Sequence, residues 1–414
     1  MSQSVIAAAE QVAAVPVVSV AAADVCRDLL ELLAEVPDGR SSQGRDHPAV
    51  VVLALAAAAT VAGMKGYTAI AGWVADVPAA VVAQLYLRVG ATPAGWPSRS
   101  TIWRVCTDAD AQALDSAVGA WLSSQLAGHT TAGRDGGIDA DAVSVPCAVV
   151  HVRLDGKTVR GAKDADGDQL HLLAALAGPA GDGGAAVVVA QSEVAGAKTN
   201  EPAAARQVLG QLDLEGKVVT ADALHTVKAT AELIYQRGGQ FVFPVKENRQ
   251  ALFDALDRLA WKDTSIAHST IDIGHGRVTR RTIRVLPAPK DLPFPHVNQA
   301  WLVERYVTDT AGSHVSAIAQ LGVTSHTTCQ ASPAEVAGYV QGQWAIEVLH
   351  WLRDTCYRED NSTVRTRSGP RVLASLRNLA IGALRLAGRR DITEATRWAC
   401  RHMSRPFTIL GLTS

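Results

Sequence analysis

Two short apolar segments of the chain each end in an aspartate, and these carboxylates are the first candidates for chemistry. Asp155 follows VVHVRL and opens the stretch DGKTVRG, which places Lys157 and Arg160 within five residues of the acid. Asp222 follows VVTA in the same way. Two carboxylates side by side repel each other unless a cation lies between them. Mg²⁺ is a hard cation that carboxylates bind together with substrate phosphate oxygens, so the pattern indicates a metal or phosphate site.

Both aspartates also have simple structural interpretations. Asp155-Gly156 between two strand-like segments is a strong hairpin signal, because glycine takes a positive φ and aspartate tolerates one. Asp222 precedes LHTVKATAELI and would suit the N-cap of a helix. The residues alone leave these interpretations open beside the catalytic one.

A third carboxylate, Glu347, lies in the segment QGQWAIEVLHWLRD. At about 100° per residue this segment forms an amphipathic helix, whose apolar face carries Ala345, Leu349, Leu352 and Cys356. The polar face carries Gln343, Glu347, His350 and Asp354. Trp344 and Trp351 border the polar face, which is either a solvated stripe, a half-buried site or a stacking surface for an unpaired base.

The composition is that of an ordinary globular protein with room for two or three domains. The 414 residues are 48% hydrophobic and 19% charged, with a net charge of −1. The charge is uneven: residues 1–150 carry −6, residues 151–346 carry −1, and residues 347–414 carry +6, with arginine as their only cation. A polyanion is attracted to the C-terminal part most strongly, although a solvated helical surface explains the same distribution.

Several protein classes are disfavoured by the sequence. The six cysteines form no CxxC pair, which is typical of a reduced, cytosolic protein and argues against structural zinc. The longest apolar run, Ala49 to Met64, is shorter than the roughly 20 residues of a membrane helix, so we expect a buried helix and no membrane partner. The N-terminus lacks the basic segment of a signal peptide. Neither a Gly-x-Ser-x-Gly elbow nor a P-loop is present.

The periodicity of the chain predicts a helical part followed by a mixed part. Residues 1–23 form a flexible tail, residues 24–135 a helical domain, and residues 128–146 include a Gly/Asp-rich loop or linker. From residue 145 to 414 the order begins βββ-α-β-α-β, which predicts a mixed sheet with helices on its faces. Residues from about 250 to 330 form a β-rich insertion, after which helices resume.

Several blocks in a fixed order resemble a known family. They are DGKTVRG, KTNEPAAA, VVTADALHT, FVFPVKENR, GHGRVTRRTIRV, and WAIEVLHWLRDTCYREDNSTVRT with SLRNLAIGALRLAG. In this order they resemble the DDE transposases of bacterial insertion sequences, of the ISAs-type or H-repeat-associated group, from about Asp38 to the C-terminus. The resemblance implies an α/β chain with an RNase H-like catalytic domain, a β-rich insertion, and a preceding all-helical domain for DNA binding.

The resemblance also implies a mechanism and partners. Asp155, Asp222 and Glu347 would be the catalytic, metal-binding triad for two Mg²⁺ ions, with Mn²⁺ as a substitute. The partner would be double-stranded DNA, both the terminal inverted repeats of the element and the target. We expect a homodimer when two ends are synapsed, located in the bacterial cytoplasm at the nucleoid.

Further side chains are candidates for DNA contact or positioning. The family suggests Lys157, Arg160, Lys198, Asn200, His225, Lys246 and Asn248. Charge placement in the insertion adds Arg280 and Arg281, together with Arg277 and Arg284. The helix around Glu347 adds Trp344 and His350.

The chain departs from the family pattern near Glu347. The family commonly shows an Arg-Gly-His-Trp block, where this chain has QGQW with Gln341 and Gln343. IEVLHW is one residue shorter than usual, which moves His350 from i+4 to i+3 of Glu347, still on the same helix face. Two alternatives therefore remain: a catalytically decayed member that only binds DNA, and an unrelated metal-dependent nuclease or phosphatase.

Overall fold

The computed structural model describes residues 27–42, 45–132, 149–163, 167–180, 184–196 and 200–413. The predicted tail at residues 1–23 and Lys198 lie outside the described residues, as does most of the predicted Gly/Asp-rich loop.

The first described part is helical, as the apolar periodicity predicts. Its helices are α1 (Leu29–Ala34), α2 (Ala49–Val61), α3 (Tyr67–Ala75), α4 (Ala79–Arg88), α5 (Arg99–Asp108) and α6 (Ala111–Ala132). Ser98 caps α5 by accepting a hydrogen bond from the backbone N–H of Thr101 at 3.2 Å. Helix α6 continues past residue 128, where a loop was predicted.

Helix α2 is buried from Val51 to Val61, which confirms the predicted buried helix. A helix that is apolar all round belongs in a core. Within the described ranges, no single helix is long and apolar enough to span a membrane. Helices α3 and α4 reach that length only together, and they are bent by 104° relative to each other.

Nine strands form one mixed sheet in the described part of the chain. They are β1 (Val150–Lys163), β2 (Gln169–Pro179), β3 (Val187–Glu193), β4 (Val218–Thr220), β5 (Gln240–Val245), β6 (His268–Gly274), β7 (Arg277–Pro287), β8 (Gln299–Asp309) and β9 (His314–Thr324). Their order is β3-β2-β1-β4-β5-β9-β8-β7-β6. Strands β1 to β3 are antiparallel, and β1, β4 and β5 are parallel.

The predicted order βββ-α-β-α-β is confirmed. Helix α7 (Glu201–Gly210) connects β3 to β4, and α8 (Lys228–Gln236) connects β4 to β5. This mixed five-stranded arrangement is the RNase H-like core that the sequence predicts.

The β-rich insertion extends this sheet. Helix α9 (Gln250–Asp257) precedes it, and β9 then pairs antiparallel with β5. The predicted β-rich insertion consists of the hairpin β6–β7 followed by β8 and β9. Strand β9 is not evident from the apolar pattern, because its first half is largely exposed and carries little apolar alternation.

The remaining helices close the structure. They are α10 (Pro333–Gly342), α11 (Trp344–Thr355), α12 (Gly369–Leu386), α13 (Ile392–Cys400) and α14 (Ser404–Ile409). Helix α12 packs against α2, α5, α6 and β3. One apolar core therefore runs from Leu29 to Leu412 and includes both the N-terminal helices and the sheet.

The hairpin interpretation of Asp155-Gly156 is wrong. Strand β1 is continuous through both residues, with Asp155 opposite Ala174 and Gly156 opposite Leu173 on β2. The glycine serves close packing instead: a Cβ atom there would lie 2.6 Å from Nε2 of His171. The Asp-Gly pair resembles a turn in the sequence, but the glycine is explained by its contact with His171 on β2.

Candidate active site

Strands β1 and β4 place the two aspartates at corresponding positions. The last paired residues of the two parallel strands are Arg153 on β1 and Thr220 on β4. Asp155 lies two residues after Arg153, and Asp222 lies two residues after Thr220. The two strands are therefore neighbours in the sheet. The aspartates therefore lie where β4 ends and β1 continues alone along β2.

A cleft of about 2390 Å³ opens at this edge of the sheet. Asp222, Trp344 and Glu347 line it. Residues of the insertion strands also line it, as do Arg385, Arg389 and Arg390 at and after the end of α12. The cleft thus contains both carboxylates and cationic side chains.

Asp155 faces helix α11. Its Oδ2 atom lies 3.3 Å from Nδ1 of His350. Partial burial, and then the negative charge of Asp155, raise the pKa of Glu347. Burial lowers the pKa of His350, although Asp155 opposes this shift, and the net direction favours the neutral imidazole. Asp155, Glu347 and His350 are thus brought together by β1 and α11.

Asp222 lies on the cleft with its side chain 55% exposed. Its Oδ1 accepts a hydrogen bond from the backbone N–H of Leu224 at 2.9 Å. The N-cap interpretation of Asp222 is therefore confirmed for a short 3-10 turn, Ala223–His225, whereas α8 begins only at Lys228. Capping uses one carboxylate oxygen and leaves the other open to the cleft.

The three acids have the donor chemistry for a divalent cation, although they do not surround a common point. Among the described residues, no three His, Cys, Asp or Glu side chains are arranged to hold a metal ion. Asp155 is turned toward His350, and Asp222 toward Leu224. Carboxylate oxygens are the ligands that Mg²⁺ prefers, and a cation would relieve the repulsion that raises the pKa of Glu347.

The junction between α10 and α11 is fastened to the strands that carry the aspartates. The Nε2 of Gln343 donates to the carbonyl of Leu154 at 2.8 Å, and the hydroxyl of Thr220 donates to Oε1 of Gln343. Arg153 donates from Nε to the carbonyl of Gly342 at 2.7 Å. Gln343, one of the departures from the family pattern, thus holds the start of α11 beside β1 and β4.

The other end of α11 is held by a buried ionic cluster. The Arg353 guanidinium donates to both carboxylate oxygens of Glu359 at 2.8 and 3.0 Å, and Arg377 donates to Glu359 at 2.8 Å. Burial alone would raise the pKa of Glu359, but the two guanidinium groups outweigh it and bring the pKa to about 2. The sequence offered one signal for this cluster: Arg353 lies on the apolar face of α11.

A second buried cluster supports the Asp222 turn. Nε2 of His171 lies 2.7 Å from Oε1 of Glu201, and Nε2 of His225 lies 3.4 Å from Oε2. His225 is completely buried, so it supports the turn rather than facing DNA. Glu201 and His171 were not recognised as site residues. The signal for Glu201 was its place in the block KTNEPAAA, before the proline that starts α7.

Lys157 and Arg160 differ in accessibility. Lys157 is buried, with Nζ 2.7 Å from Oδ2 of Asp354 and 3.4 Å from Oδ1 of Asp360. Its cation is paired with these acids, so the structure gives no support to the predicted DNA contact of Lys157. The Arg160 side chain is 78% exposed and lies 3.5 Å from Asp360, so it remains available.

The remaining candidates lie in or near the cleft. Lys246, Asn248 and Trp344 line it, and Trp344 is 58% exposed. Asn248 donates to the carbonyl of Ala223 at 2.9 Å, which ties it to the Asp222 turn. Asn200 instead donates to the carbonyl of Ala195 at 2.7 Å.

The insertion arginines are divided between two faces of the sheet. Arg281 lines the cleft and forms an ion pair with Asp272. Arg284 forms an ion pair with Glu304. Arg277 and Arg280 are exposed and do not line the cleft. Only Arg281 of the four predicted arginines therefore shares a surface with the carboxylates.

Comparison with known families agrees with this geometry. Residues 152–382, more than half of the chain, match the family described as Transposase DDE domain. Residues 30–122 match the family described as DDE_Tnp_1-associated. The chain belongs to the DDE transposases, the enzymes that cut and join DNA strands, and the predicted family is confirmed.

Individual relatives are distant in sequence. The chain is 25% identical to "Putative transposase YncI" of Escherichia coli O157:H7 over 378 residues, 87% of each protein. It is 26% identical to "H repeat-associated putative transposase YhhI" of Escherichia coli K12 over 248 residues, 56% of this chain and 63% of the relative. Among solved structures, a piggyBac transposase synaptic complex with hairpin DNA matches with a TM-score of 0.40 and 11% identity, over 92% of this chain and 78% of that one.

Proposed function

We propose that this chain cuts the ends of a bacterial insertion sequence and joins them to target DNA, with Asp155, Asp222 and Glu347 as its metal-binding residues. The observation that carries the proposal is the convergence of Asp155 and Glu347, whose mutual repulsion contributes to the raised pKa of Glu347. Asp222 is added by the register of β1 and β4. Each acid comes from a different element, as expected of a site rather than of a solvated stripe.

The reaction would consist of two steps at phosphodiesters, a hydrolysis followed by a transesterification. Water attacks a phosphodiester at the element end, the P–O3′ bond breaks, and a 3′-hydroxyl is released. That hydroxyl then attacks a target phosphodiester, whose own 3′-oxygen leaves. Bound Mg²⁺ would polarise the phosphate and lower the pKa of the attacking water.

The chain's own residues position these events. His350 would orient the Asp155 carboxylate that it contacts, and Gln343 would hold the first turn of α11, which carries Glu347. The buried Glu201 cluster supports the turn that presents Asp222. Such preorganisation reduces the rearrangement required when substrate binds.

We propose double-stranded DNA as the substrate, in the form of terminal inverted repeats and target, and a homodimer for synapsis in the bacterial cytoplasm. Support comes from the family and from the arginines that line the cleft. Short inverted repeats flanking the gene, with a target duplication outside them, would be the matching genomic observation.

Metal binding by the triad can be tested separately from catalysis. Binding of Mn²⁺ to the DNA-free chain is followed by electron paramagnetic resonance. Asp155→Asn and Glu347→Gln should each weaken binding strongly, whereas Asp213→Asn, an exposed acid paired with Lys217, should not. Unchanged Mn²⁺ binding in both triad variants would contradict the assignment.

A family member that binds DNA without cutting is the second candidate. The motivating observation is the QGQW block: Gln341 lines the cleft and supplies no cation for phosphate. An unrelated phosphatase or nuclease is not retained, because the chain belongs to the DDE transposases.

A further inference from the structure

Strands β7 and β8 carry charged side chains on both faces, and the register separates the two sets. Arg281 lies directly opposite Arg305, and both line the cleft. Arg280 lies on the other face, opposite Tyr306, whose hydroxyl donates to Glu304 at 3.0 Å. The cleft face therefore has two arginines directly opposite each other, whereas on the outer face Arg280 lies opposite an uncharged side chain.

The arginine pair is incompletely neutralised. Like charges directly opposite each other on antiparallel strands repel. Asp272 forms an ion pair with Arg281. Arg305 is half-buried, and it has no salt bridge or side-chain hydrogen bond to any described residue. A partly desolvated cation without a partner is costly, so an anion from outside the chain would stabilise it.

We propose that Arg305, together with Arg281, binds a phosphodiester group of the DNA strand that lies in the cleft. A guanidinium group presents a planar fork of N–H donors that matches phosphate oxygens. Asp222 and Glu347 line the same cleft, so a strand held by the pair is retained beside the carboxylates. This inference rests on the proposed function, since DNA is its substrate.

Arg305 was not among the arginines expected to contact DNA. Its sequence context, LVERYVTD, reads as an ordinary strand with a neighbouring acid, Glu304. The structure turns Glu304 to the outer face, where it pairs with Arg284. Arg305 is thereby left on the cleft side without that acid.

The test is binding of a fluorescein-labelled duplex of arbitrary sequence to the full chain without divalent metal, measured by anisotropy over a range of salt concentrations. Arg305→Ala should weaken binding about tenfold. It should also reduce the slope of log affinity against log salt by about one. The control is Lys290→Ala, an exposed cation of the insertion that does not line the cleft, which should leave affinity and slope unchanged. Arg280→Ala, the same substitution on the outer face, should cost less affinity than Arg305→Ala.

Thermal unfolding without DNA separates a binding role from a structural one. Arg305→Ala removes a repulsion with Arg281, so its melting temperature should equal or exceed that of the unaltered chain. Arg305→Lys keeps the charge and should retain most of the salt slope while losing part of the affinity.

Three outcomes would overturn the inference. An Arg305→Ala variant with the same affinity and the same salt slope as the unaltered chain would contradict the inference. A loss of affinity in Arg280→Ala alone would place DNA on the outer face. If the unaltered chain binds no duplex at all, both the inference and the proposed function are contradicted. If the unaltered chain cleaves ends with Mg²⁺ while Arg305→Ala binds DNA normally, only the inference is contradicted.

Discussion

Glu347 shows how one residue depends on its surroundings. Sequence alone placed it on a polar helix face, but its environment is set by Asp155, which lies on a strand far away in the chain. Burial and the Asp155 charge both favour the protonated form of Glu347 and so raise its pKa. Metal binding requires the ionised form.

The raised pKa of Glu347 predicts a pH dependence. Mn²⁺ binding should weaken on acidification at a higher pH than an ordinary glutamate would produce. In the metal-free chain, ionisation of Glu347 should reduce stability as pH rises from the ordinary pKa through the raised one, since the folded state holds the proton more tightly. NMR titration of the Glu347 carboxyl should show the raised pKa, and Asp155→Asn should lower it. A pKa that does not respond to Asp155→Asn would contradict the pairing.

Glu201 predicts the opposite dependence. Burial raises its pKa, but His171 and His225 more than compensate and bring the pKa to about 2, below the ordinary value of 4.5. Its contribution to stability is complete above pH 4.5 and is lost as pH falls toward 2. Glu201→Gln should destabilise the chain by about 1–3 kcal/mol at pH 7, measured by urea denaturation. Equal stability at pH 7 would show that the cluster is energetically unimportant.

Other predicted contact residues could not be judged from the sequence. Lys157 and His225 are polar residues close in sequence to the aspartates proposed to bind metal, which favoured a surface role. Their burial is decided by Asp354, Asp360 and Glu201, which approach from other parts of the chain. No local pattern contains that information.

At the scale of elements, the alternation of strand and helix patterns was sufficient to predict the core. Strands β2 to β5 are mostly apolar, β1 begins with alternating apolar and polar residues, and α7 and α8 have helical periodicity. Asp155-Gly156 was ambiguous because glycine is needed both at tight turns and at close contacts. Here the contact with His171 and Glu201 explains it.

Helix α11 should depend on its buried ionic anchor. Arg353→Ala leaves Glu359 buried with one of its two guanidinium partners removed. Loss of one partner from a buried ion pair costs about 3–5 kcal/mol. Thermal or urea unfolding should show this loss, while Arg397→Ala, an exposed arginine on α13, should be close to neutral. A neutral Arg353→Ala would mean that Arg377 alone satisfies Glu359.

At the scale of the whole molecule, the sheet, insertion and C-terminal helices assemble a cleft that no segment contains alone. Charge counting along the chain indicated a basic C-terminal part, and Arg389 and Arg390 do line the cleft. Charge counting gave no indication of which insertion arginines face the carboxylates, because the face on which each arginine lies depends on strand register. The N-terminal helices and the sheet share one core, so the helical part also supports the catalytic part.

The central claim is that this cleft cuts DNA with Glu347 in the site. The most direct measurement is cleavage of a labelled duplex that carries the element's own end, with Mg²⁺ or with EDTA, for the unaltered chain, Glu347→Ala and the exposed-residue control Glu31→Ala. We predict Mg²⁺-dependent nicking at the end by the unaltered chain and by Glu31→Ala, and none by Glu347→Ala. End binding without nicking by the unaltered chain, or nicking that survives Glu347→Ala, would contradict the claim.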